Sequence, residues 1–156
     1  MVYKTLFLSA TIAAFALPAA AADVPYDGPA GWSHAPPAST DTARKVDQWH
    51  ISGDVSTVTF IADSTSAYSD AVGAIEQNFK TNGIKAATDK DMTCQGKTGH
   101  VVEFTVGPDG HKIVINRLLI PSGTGVVTIT YTRSDGSTFD SAVKKSETAY
   151  CDAPPA

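Results

Sequence analysis

Three strand-like runs between Gly99 and Arg133 are joined only by tight turns, and this constrains the fold more than any other feature of the 156-residue chain. In the first run Val102, Phe104 and Val106 alternate with Glu103 and Thr105, so one side faces a core. Pro108-Asp109-Gly110 then turns the chain, because proline presets φ and glycine tolerates a positive φ. Lys112–Ile120 is nearly continuously apolar around Asn116 and Arg117. A Gly/Ser/Thr loop over 121–125 leads into Gly125–Arg133, which is rich in Val, Ile, Thr and Tyr as strands are. Parallel neighbours need a crossover of a dozen or more residues, which these turns do not supply. The runs therefore pair antiparallel.

Upstream, Val46–Ser52 and Val55–Ala62 flank the turn signal Gly53-Asp54 and read as a hairpin. A helix follows, with Asp63 or Ser64 as its expected cap. Its apolar residues Tyr68, Val72, Ile75 and Phe79 recur at helical spacing and share a face. Asn82-Gly83 stops it. Ile84–Cys94 has few strong strand formers and reads as an irregular or edge strand. Past the turn Ser134-Asp135-Gly136, a second helix runs from about Thr138 to Tyr150, with Phe139, Val143, Ser146 and Tyr150 on one face and Cys151 just beyond. The expectation is an α+β domain over residues 44–152: an antiparallel sheet of about six strands with both helices packed on it. Residues 23–43 hold Pro25, Pro29, Pro36 and Pro37 and read as an irregular N-terminal arm, with Gly31-Trp32 docking on the domain. Residues 153–156 form a loose tail.

Residues 1–22 read as an address. Lys4 supplies a positive start, Leu6 to Leu17 an apolar stretch, and Pro18 with Ala19–Ala22 a small-residue cleavage region. The stretch is too short to cross about 30 Å of hydrocarbon, so a secretory signal peptide is expected, and no membrane span. The protein is then periplasmic or secreted. A formal charge of −4 gives no basic face for nucleic acid. Aromatic content of 8% suffices for a core and argues against wholesale disorder.

Cys94 and Cys151 are the chain's two cysteines. In an exported protein such a pair is expected to form a disulfide. Closing a loop of 57 residues stabilises by roughly 4 kcal/mol on chain-entropy arithmetic. A metal pair or a reactive thiol has no CxxC or Cys/His spacing behind it.

The order of elements resembles the PsbP-like fold, which includes the photosystem accessory protein and many small exported bacterial proteins. The residues that carry the resemblance are Gly31-Trp32, the Trp49 strand, the Tyr68–Phe79 helix, the run Val126-Val127-Thr128-Ile129-Thr130-Tyr131-Thr132-Arg133 and the terminal helix Phe139–Tyr150. It covers roughly residues 31–151. It implies an α/β/α sandwich around a central antiparallel sheet. It also implies a binding or assembly role without shared catalytic residues, so no site residue is carried over.

Motif chemistry is sparse. The chain lacks GxSxG, HExxH, P-loop and GxGxxG patterns, and no cofactor is expected. His100 and His111 flank a predicted hairpin and, with Glu103, are the candidates for a metal site. Glu76 and Glu147 are expected on polar helix faces, in solvent. Arg117, among apolar strand residues, is expected to pair with Glu103 or to reach a ligand. The expected role is that of a non-enzymatic accessory or binding protein with an envelope protein as partner. The alternatives are a small periplasmic hydrolase with a spatially assembled site, and a periplasmic metal-binding protein.

Overall fold

A computed structural model describes residues 25–35, 41–136 and 140–154. The leader read over 1–22, together with Pro36, Pro37, Phe139 and the last two residues of the tail, lies outside them. The elements are β1 (Ser33–Ala35), β2 (Arg44–His50), β3 (Thr57–Asp63), α1 (Tyr68–Asn82), β4 (Ala86–Cys94), β5 (Lys97–Val106), β6 (Ile113–Ser122), β7 (Gly125–Ser134) and α2 (Ser141–Asp152). One antiparallel sheet has the order β1-β2-β3-β7-β6-β5-β4. The described residues thus hold seven strands against about six predicted. The seventh is β1, three residues of the arm that reads as irregular, paired with β2. The meander of β5, β6 and β7 stands as expected, and β4 is an edge strand with a register shift between Ala86 and Thr88.

β7 lies inside the sheet, between β3 and β6. Alternation sends Val127, Ile129 and Tyr131 to one face, where Val58, Phe60, Leu118 and Ile120 of the neighbouring strands join them. Val143 and Tyr150 of α2 complete this core. Tyr26, from the arm, fills its centre: the ring stacks on Phe60 at 5.4 Å and meets Trp49 and Tyr150 edge-on. Its hydroxyl hydrogen-bonds Ser146 Oγ at 2.9 Å. Trp32 packs against Tyr131 as the Gly31-Trp32 reading expects, but Tyr26 is the deeper anchor. Gly28 makes this path possible. It has φ of +73°, and a Cβ there would overlap the Trp49 indole.

α1 lies on the opposite face, over β6 and β7. Its Phe79 ring meets Phe104 of β5 at 4.8 Å. The Tyr68–Phe79 stripe faces the sheet as the spacing predicts, yet none of α1 is fully buried. Its N-cap is Ala67, not Asp63 or Ser64. Asp63 instead accepts hydrogen bonds from the backbone N–H groups of Thr65 and Ser66, closing the turn ahead of the helix. Gly83 ends α1 in the left-handed conformation, with its N–H and that of Ile84 both donating to the Phe79 carbonyl.

α2 starts at Asp140, whose carboxylate accepts from the N–H groups of Ala142 and Val143. Its far end is held by the β4–β5 turn. Gln95 donates from its backbone N–H to the Cys151 carbonyl at 2.7 Å and from its side-chain amide to the Tyr150 carbonyl at 3.1 Å. The Cys94–Cys151 disulfide, with 4.2 Å between Cα atoms, fastens the same corner. Cys151 therefore lies inside the last turn of α2 rather than beyond it. Among the described residues, no helix is long and apolar enough to cross a membrane.

Candidate functional site

The proposed metal ligands are not brought together. His100 and Glu103 are three residues apart on one strand, and that odd spacing sends their side chains to opposite faces. His100 lies on the α1 side, 2.9 Å from Asp89 and 3.4 Å from Asp91 of the edge strand. Glu103 lies on the α2 side, where one carboxylate oxygen is 3.9 Å from Arg133 Nη2. His111 is in the exposed β5–β6 turn, at the other end of β5 from His100. No cluster of three metal-ligating side chains occurs among the described residues.

Arg117 does not meet Glu103 either. Its partners in register are Val102 and Thr130, so it stands on the α1 face. There its Nε donates to Thr130 Oγ1 at 3.2 Å. The acid expected to partner it sits across the sheet and takes Arg133 instead.

A cleft with a volume of about 660 Å³ opens between α2 and the β4–β6 part of the sheet. Met92, Val101, Leu118 and the disulfide's Cys151 give it apolar walls, while Lys144 and Asp152 line it with charge. Two side chains set its chemistry. Asn116 comes from β6, at the point where the apolar run breaks. Glu147 comes from α2, one turn after Val143 and just before Tyr150, which places it in the helix's buried stripe.

Glu147 is therefore not the solvated carboxylate its residue type suggests. It is only 8% exposed, and burial pushes its pKa up to about 7. Nearby, burial pushes the Tyr26 phenol up to about 12, the hydrogen bond from Ser146 opposing and the charge of Glu147 adding. Asn116 Oδ1 and Glu147 Oε1 are both buried without a hydrogen-bond partner among the described residues. A buried acceptor left unpaired costs about 1–3 kcal/mol, so two on side chains that line one cleft call for a partner. Both residues stand out in sequence: Asn116 interrupts an apolar strand, and Glu147 falls at helical spacing from Val143 and Tyr150. By those spacings each is a polar group placed where the core should be.

No family model matches the chain, and no curated protein does. Among solved structures, the crystal structure of a protein of unknown function from Pseudomonas aeruginosa is similar, with a TM-score of 0.47 and 16% identity over 63% of this chain and 73% of that one.

Proposed function

We propose that the chain is an exported, non-enzymatic accessory protein that carries a small amphipathic molecule in the cleft beneath α2. The observation behind this reading is an apolar-walled cleft lined by Asn116 and Glu147, whose Oδ1 and Oε1 are buried without a hydrogen-bond partner among the described residues. A ligand with an apolar body and an N–H or O–H head complements both: the head donates to the two oxygens and the body covers the walls. Export is supported by the leader-like segment 1–22 and by a disulfide of the kind that persists in oxidising compartments. The matching reading of the fold is a PsbP-like α/β/α sandwich, supported by helices on opposite faces of one antiparallel sheet. An envelope protein would receive the cargo.

Calorimetric titration tests the reading with octanamide, a donor-headed probe, against methyl octanoate, which only accepts. Octanamide is expected to bind saturably and the ester at least tenfold more weakly. Thr148→Trp, at an exposed position on the rim of the cleft, is expected to abolish octanamide binding without unfolding the domain. Equal binding of the two probes, or no saturable heat from either, would overturn it.

A further inference from the structure

We propose that the opposite face of the sheet, beneath α1, carries a second ligand site selective for a monocarboxylate with an apolar chain, in which Arg117 takes the carboxylate and Ile75, Phe79, Phe104 and Leu119 enclose the chain. This site is separate from the α2 cleft and independent of the function proposed for it.

The cleft has a volume of about 350 Å³, within the range of small-molecule pockets (roughly 300–1,000 Å³). It lies between α1 and the sheet. Ala71 and Ala74 of the helix line it with small side chains, and Phe79 meets the Phe104 ring at 4.8 Å. Among the described residues, Arg117 is the one charged side chain lining this space; Asn78 and Thr128 are its polar companions.

The state of Arg117 is the stronger argument. A guanidinium carries five N–H donors in a planar fork. Among the described residues, only its Nε has a partner, Thr130 Oγ1, and Arg117 enters no ion pair. It is partly buried, and that burial lowers its pKa without an opposing carboxylate. A partly buried guanidinium whose two Nη groups have no protein acceptor among the described residues fits the two oxygens of a carboxylate, bound bidentately. A single cation in this cleft suits one negative charge rather than two. A second cleft, of about 380 Å³, meets the first at Arg117 and is lined also by Arg44, Asp63 and Asp70. Of its two acids, Asp63 already holds Thr65 and Ser66 by hydrogen bonds.

Calorimetric titration with octanoate and octanol at pH 7.5 tests the site, since the two share a chain length and differ in charge. Octanoate is expected to bind at one saturable site and octanol at least tenfold more weakly. Arg117→Gln is expected to weaken octanoate at least tenfold, and Arg117→Lys less, because it keeps the charge but not the fork. Ala74→Trp, at an exposed helix position, blocks the cleft without touching Arg117 and is expected to abolish binding. Thr148→Trp is expected to leave octanoate binding unchanged, which separates this site from the α2 cleft. The proposal fails if octanol equals octanoate, if Arg117→Gln folds and binds as before, if Thr148→Trp abolishes octanoate binding, or if octanoate gives no saturable heat.

Discussion

Glu147→Gln should stabilise the protein at alkaline pH and leave it unchanged in acid. The folded chain holds the Glu147 proton up to about pH 7, whereas the ordinary value for a glutamate is 4.5. At 1.36 kcal/mol per pKa unit, the difference amounts to about 3 kcal/mol. A folded-state pKa above the unfolded one means that the native state binds the proton more tightly. The stability this confers is complete below about pH 4.5 and is lost as pH rises through about 7. Glutamine keeps the size and neutrality of the protonated acid but cannot ionise. At pH 8.5 the variant should exceed the parent by about 3 kcal/mol, or about 10 °C in Tm for a domain of this size. At pH 4 the two should agree within about 0.5 kcal/mol. The surroundings leave this window clean: the described residues lining the cleft include no histidine, and Tyr26 titrates only near 12. Thermal unfolding followed by circular dichroism from pH 4 to 9 measures both proteins. A Tm gap that does not change with pH would refute the assignment of a buried, neutral Glu147. A parent that gains stability between pH 5 and 8 relative to the variant would reverse its sign.

Two further predictions concern the frame around the clefts. Reducing the Cys94–Cys151 bond should lower stability by roughly 4 kcal/mol, read from urea-unfolding midpoints with and without reductant; equal midpoints, with free thiols counted in the reduced sample, would contradict it. Gly28→Ala combines a positive φ with overlap against Trp49, so it should cost about 3 kcal/mol and shift the tryptophan emission as the arm lifts; an unchanged melt would show the arm not to be seated there.

The C-terminal half of the fold was readable because its signals are local. Pro108-Asp109-Gly110 and the glycines near 123–125 mark turns by their own chemistry, and Gly83 marks a helix end by its tolerance of positive φ. Tyr26 was not readable. It sits between Pro25 and Gly28, in a stretch without periodicity, and is buried by contacts with Trp49, Phe60 and Tyr150 that lie far along the chain. Glu147 was missed for a different reason: the residue type says solvent while the spacing from Val143 to Tyr150 says core, and in the fold the spacing wins. The placing of His100 with Glu103 failed on strand parity, which the sequence already contains, since an odd interval on a strand separates two side chains across the sheet. Arg117 and Glu103 fail to meet for a related reason, because register rather than adjacency decides which cross-strand pairs form.

The corner where Gln95, Cys94 and Cys151 meet also determines how the molecule bears load. Tension applied at the C-terminal end passes through sulfur into strand β4 before it reaches the turns of α2. The helix is thereby shielded from unravelling from its tail, and any tether joined after Asp152 pulls on the rim of the sheet, where successive backbone hydrogen bonds to β5 share the strain.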